Sequence, residues 1–199
     1  SEPDGNLRGI GPSVSNPLTG EIISADVVNK LLAIKLGYNY RKLYGYTEDN
    51  DPLMQYITNL TLHEVGHVLG LRHNFRGSYL YSPDEIHDKN ITGNVLMSSV
   101  MDYDPINIAP EGVEQGIYFS TEPGVYDKWA VKFGYTPNLT DEERTALLQQ
   151  SVKRELTFGT DDDAMSYPGN NIDPRTKRYD MSNDPIGYAE DIVKIVDQK

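Results

Sequence analysis

The chain is 199 residues long and 38% hydrophobic, which fits one globular domain with a sizeable core and excludes a disordered or fibrous chain. Its 18 Lys and Arg stand against 30 Asp and Glu, and the net charge of -12 makes phosphate backbones and anionic lipid surfaces poor partners, so nucleic acid is not expected. Without cysteine there is no disulfide, any metal site must be built from His, Asp or Glu, and the redox compartment is left open.

No stretch approaches the ~20 consecutive apolar residues of a membrane-crossing helix, so this segment is not expected to insert in a bilayer. The opening Ser1-Glu2-Pro3-Asp4-Gly5 has neither a basic nor an apolar leader and reads as a mature or excised segment of a larger protein.

Residues 1 to 20 are rich in Gly, Pro, Ser and Asn, and Asn16-Pro17-Leu18-Thr19-Gly20 predicts a turn between two short extended pieces. The β-branched run from Glu21 to Val28 predicts a strand. Val27, Val28, Leu31, Leu32 and Leu36 also fit a helical face, so the reading is strand, then helix. Asp51-Pro52 has the form of an N-cap followed by proline at the first helical position, and no further breaker occurs before Gly70. Ser82-Pro83-Asp84-Glu85 has capping-box form, and Gly93 to Pro110 is turn-rich and reads as loop. Three more helices are expected: Gly124 to Phe133; Asp141 to Leu156, opened by Thr140-Asp141-Glu142-Glu143; and Pro185 to Val196, capped by Asp184. The stretches around Pro137 and from Gly159 to Asp184 read as polar connectors.

The long helix carries His63-Glu64-Val65-Gly66-His67. Residues four apart share a helix face, so His63 and His67 can converge on one metal ion, while Glu64 points to a neighbouring part of that face and can act on a water there without being a ligand. Val68-Leu69-Gly70-Leu71-Arg72-His73 extends the motif to HExxHxxGxxH. A straight helix would carry residue 73 away from the ion; Gly70 permits the sharp exit that brings His73 back, because a residue without Cβ adopts positive φ at no steric cost.

This motif resembles the signature of the metzincin clan of zinc proteases. The resemblance implies a tight turn with a supporting methionine downstream, and Ser98-Ser99-Val100-Met101-Asp102-Tyr103 resembles that Met-turn, with Met101 the supporting residue and Met97 the competitor that lacks the following x-Tyr. Tyr103 would then lie near the metal and stabilise the reacting oxyanion. The chain resembles more particularly a family of bacterial secreted zinc-dependent Met-zincins. The stretches that carry this likeness are Gly11-Pro12-Ser13-Val14, Pro17 to Ile22, His63 to Arg76, Ser99 to Tyr103 and Asn183-Asp184-Pro185-Ile186-Gly187-Tyr188-Ala189.

What the resemblance implies is an α+β, helix-dominated zincin core forming a single domain, with an upper part at 1–73 and a lower part at 74–199. Only about fifty residues precede the active-site helix, so the N-terminal sheet is small or completed by strands upstream. The implied activity is zinc-dependent endopeptidase, with Zn2+ on His63, His67 and His73 and Glu64 as general base. A protein or peptide would be the substrate, and the location secreted, periplasmic or cell-surface. A zinc-stabilised binding module and a hydrolase of non-peptide amides are the competing readings; the retained Glu64 speaks against the first.

Among the remaining residues, His87 has no partner at ligand spacing and reads as a surface histidine. Asn74 is either a turn residue at the helix exit or a support for the ligands. Asp161-Asp162-Asp163 lacks EF-hand spacing and reads as a solvated loop rather than a calcium site. The glycosylation-like triplets at Asn59, Asn90 and Asn138 are incidental.

Overall fold

A computed structural model describes residues 9–29, 31–164 and 173–197. The described residues begin with β1 (Gly9–Ile10), β2 (Ser13–Ser15), β3 (Ile22–Ala25) and β4 (Val28–Asn29). These form two antiparallel pairs, β2 with β3 and β1 with β4, the latter in the register Gly9 to Asn29 and Ile10 to Val28. The β2–β3 connection is the expected turn: the Asn16 N–H donates to Glu21 O at 2.8 Å, Asn16 Oδ1 accepts from Leu18 N, and Gly20 takes φ +76. The expected small sheet is thus two short ribbons, and Val28 belongs to a strand rather than to the helix that follows.

Helix α1 (Leu31–Tyr44) ends at Gly45, which has φ +75. It lies against α2 (Pro52–Val68), whose N-cap Asp51 accepts from Leu53 N at 3.0 Å and pairs with Arg41 of α1 at 3.1 Å. Between them Tyr40, Tyr56 and Phe119 pack ring on ring at 5.1 to 5.7 Å, joined by Ala33, Leu36 and Leu60.

A second cluster, Ile86, Leu96, Met97, Ile117, Met181 and Tyr188, fills the lower half. The helices after α2 are α3 (Lys89–Thr92), α4 (Val125–Tyr135), α5 (Asp141–Leu148), α6 (Asp161–Ala164) and α7 (Pro185–Asp197), and α7 supplies Tyr188 and Ile192 to this cluster. The long irregular stretch after α3 stays ordered because buried side chains take over the role of a backbone ladder. Gln55 Oε1 accepts from Tyr118 N and Phe119 N at 2.7 and 3.1 Å, and Asn107 Nδ2 donates to Ile86 O and Ile117 O at 3.1 and 3.0 Å. Among the described residues no helix is long and apolar enough to cross a membrane.

Three expectations need correction. The helix expected over Asp141 to Leu156 stops at Leu148 and continues as 3-10 turns at Gln149–Val152 and Arg154–Leu156. The indole of Trp129 donates to Leu147 O at 3.0 Å, taking the carbonyl a continuing α-helix would use, and extended Lys153 re-aims the chain to bury Leu156. His87 is not a surface residue: it is 7% exposed, its carbonyl fills the space left by Gly116, and burial pushes its imidazole below the usual range. The connector holding Asp161-Asp162-Asp163 includes the helical turn α6, with Asp163 Oδ2 accepting from Thr160 N at 2.9 Å. The Ser82/Glu85 box forms both of its hydrogen bonds, but it closes onto a turn rather than a named helix.

Candidate metal centre

The exit of α2 is built as a Schellman motif. Gly70, at φ +84, donates to His67 O at 2.9 Å and Leu71 donates to Gly66 O at 2.9 Å, so the last carbonyls are satisfied while the chain reverses. This reversal brings His73 back to the helix face that bears His63 and His67. One candidate ligand atom from each of the three histidines lies within 4.8 Å of those of the others.

The second nitrogen of each ring shows which atom is free to bind. His63 Nδ1 donates to Val100 O at 2.7 Å, His67 Nδ1 to Leu71 O at 3.0 Å and His73 Nδ1 to Asp161 Oδ2 at 2.8 Å. Carbonyls and a carboxylate only accept, so Nδ1 is the donor nitrogen of each ring and Nε2 is the one left to face a metal. This is the outer support expected of metal-ligating imidazoles, and a set of three imidazole nitrogens suits zinc. Burial, aided by the neighbouring histidines, holds His63 at about 3, so it is neutral at physiological pH.

Glu64 is 5% exposed, and burial pushes its carboxyl above the ordinary value. The backbone of β1 lies directly on it: a Cβ on Gly9 would collide with Glu64 Oε1, and one on Gly11 with Glu64 O. Glu64 and the histidines line a cleft of about 590 Å³, with Gly9 to Pro12 on one side and Asp102, Tyr103, Asp104 and Tyr179 among its other lining residues.

Beneath the histidines the backbone turns at Val100–Met101. Met101 is fully buried with its sulfur against Gly66, where any Cβ would clash, whereas Met97 belongs to the lower core. Of the two methionines weighed from the sequence, Met101 is the one that packs against the histidine-bearing helix at Gly66.

The model of the Met-zincin family matches residues 46–199. The chain belongs to that family. No match to the chain is found among curated proteins or among solved structures. The matched region of this Met-zincin runs from just before α2 through α7 and so includes the three histidines, Glu64 and the turn at Met101. Membership points to a zinc-dependent peptidase, and the histidine group is placed to hold the metal.

The buried turn of this Met-zincin is anchored by Asp127 at the start of α4. Its carboxylate accepts from Ser99 Oγ at 2.6 Å, Val100 N at 2.8 Å and Gly124 N at 2.8 Å. Val100 O in turn orients His63, so a helix-capping carboxylate sets the position of a candidate ligand. Tyr103 lies at the edge of the centre, its hydroxyl 2.9 Å from His73 Nε2 and its ring stacked on Tyr179. Burial pushes that phenol up to about 12, so it is a donor at working pH.

Asn74, open between two readings in the sequence, touches none of the three imidazoles by hydrogen bond. Its N–H donates to Met101 O at 3.0 Å, and its side chain donates to Thr157 O and accepts from Gly159 N at 3.2 Å. It thereby ties the turn to the segment that delivers Asp161.

Sequence reasoning missed Asp161, Asp127 and the glycines over Glu64. For Asp161 no local signal existed, because it lies 88 residues from His73. For Gly9 and Gly11, the glycine spacing next to a strand was an available sign of close backbone approach.

Proposed function

We propose that this Met-zincin is a zinc-dependent endopeptidase acting on protein or peptide substrates in the cleft beside Glu64. The observation that carries the reading is the set of three Nδ1-anchored imidazoles converging beside a buried carboxylate at an open cleft. Zinc on His63, His67 and His73 would supply Lewis acidity, polarising the scissile carbonyl and making a water acidic enough to react near neutral pH. Glu64 takes the proton of the attacking water and returns it to the leaving amine; its burial raises its basicity for that task. Met101 acts as the supporting residue of a Met-turn, filling the space under Gly66 so that α2 and the turn hold the imidazoles rigidly. Tyr103 donates its hydroxyl to the oxyanion.

The test is incubation of the purified chain with a peptide library, with and without a chelator, and with zinc restored. Cleavage that disappears on chelation and returns with one zinc per chain is expected. A chain that binds one zinc but cleaves no peptide would be a binding module, or, with activity on non-peptide amides alone, a different hydrolase; chelator-resistant cleavage would remove the metal from the reaction.

Tyr103→Phe keeps the ring between Phe75 and Tyr179 and removes only the donor. A fall in kcat of roughly one to three powers of ten with little change in KM is expected from the loss of one oxyanion donor. An unchanged kcat with a small loss of stability would leave the phenol as packing.

A further inference from the structure

Two carboxylates that make no hydrogen bond to the three histidines lie beside the Met101 turn, Asp102 at the wall of the cleft and Asp180 next to Tyr179. Asp102 is 3% exposed, and its oxygens accept from the Tyr103 N–H at 2.7 Å and the Ser78 N–H at 3.1 Å. Asp180 is carried to the same place by two backbone tethers, Tyr179 N–H to Tyr103 O at 2.9 Å and Asn183 N–H to Tyr81 O at 2.7 Å. Both carboxylate oxygens of Asp180 are sealed from solvent without a hydrogen-bond partner. So is the hydroxyl of Ser78, which has 0% exposure.

These groups lie close enough to act on one another. The Ser78 side chain favours the ionised form of Asp180, although neither group closes to a hydrogen bond. Burial first, and Asp180 second, push the Asp102 carboxyl well up, while burial pushes Asp180 up to about 6. Lys177, the cation acting on Asp180, is exposed and makes no hydrogen bond to it. Two adjacent carboxylates and an orphaned hydroxyl in a low-dielectric interior are unfavourable unless positive charge compensates them.

We propose that Asp102, Asp180 and Ser78 form a second metal site, separate from the histidine centre, that takes a hard divalent cation of the calcium class. Every donor is oxygen and two are carboxylates, with neither nitrogen nor sulfur, which is the donor set of calcium rather than zinc. A cation here cancels the paired charge and fastens the Met101–Tyr103 turn to the segment bearing Tyr179, so its role is structural. The acidic run weighed for calcium in the sequence is otherwise engaged: Asp161 with His73, Asp162 with Arg72 at 3.0 Å, and Asp163 with the Thr160 N–H.

The test uses the zinc-loaded chain freed of calcium, titrated with Ca2+ and followed by thermal unfolding and equilibrium dialysis, with zinc content measured in parallel. One calcium per chain is expected, with Tm raised by roughly 5–10 °C when calcium exceeds its Kd a hundredfold, and zinc content unchanged. In Asp180→Asn calcium uptake is expected to be lost while zinc is retained, so the outcome does not depend on the peptidase reading. Wild-type chain that takes up no calcium at about 10 mM, beyond the range of weak calcium modules, overturns the proposal without any variant. Uptake by Asp180→Asn at wild-type affinity overturns it as well, since the ion would then sit elsewhere. Wild type indifferent to calcium, with Asp180→Asn the more stable protein, would show that a shared proton compensates the pair.

Discussion

Glu64→Gln is expected to lower kcat/KM for peptide cleavage by roughly two to four powers of ten, the range that a positioned general base contributes, with zinc still bound at one per chain. The substitution keeps the shape of a side chain pressed against the Gly9 backbone, where nothing larger would fit, and removes only the capacity to accept a proton. Since the three imidazoles are held through their own Nδ1 contacts to Val100, Leu71 and Asp161, none of which involves Glu64, the metal should stay in place. Measuring zinc by elemental analysis beside the kinetics separates the two effects. Wild-type turnover in the variant would exclude Glu64 as the base.

Asp127→Ala is expected to produce the largest loss of stability, about 3–5 kcal/mol, because it strands three buried donors at once: Ser99 Oγ, Val100 N and Gly124 N. For a chain of this size that corresponds to a fall in Tm of roughly 10 °C. The damage should reach the metal, since Val100 turns its N–H to Asp127 and its carbonyl to His63. Weaker zinc binding, by roughly 10- to 100-fold, is expected even under conditions where the variant remains folded. Chemical denaturation and competition with a chelator read the two effects independently. A variant within about 0.5 kcal/mol of wild type, the usual spread for surface changes, would show that the turn holds without this anchor.

Much of the site was legible because its signals are local. The HExxH spacing is a property of one helix, Asp51-Pro52 starts that helix, and Gly70 ends it; each acts within a few residues, so composition and offset were enough to place His63, Glu64, His67 and His73 together. The hairpin at Asn16 to Gly20 and the box at Thr140 and Glu143 were readable for the same reason.

What tertiary structure alone decided is everything that depends on partners distant in sequence. Where the two methionines pack was decided by the fold: Met101 fits the space Gly66 leaves, and Met97 belongs with Met181 and Ile117 in the other core. Asp161 acquired its role from the fold bringing residue 161 back to residue 73, and His87, polar and isolated in the sequence, is buried with its backbone against Gly116. The long helix expected after Asp141 broke where Trp129 claimed a carbonyl. Short-range backbone geometry is written in the order of residues; the pairing of buried polar groups is fixed only when chain closure sets which donor meets which acceptor.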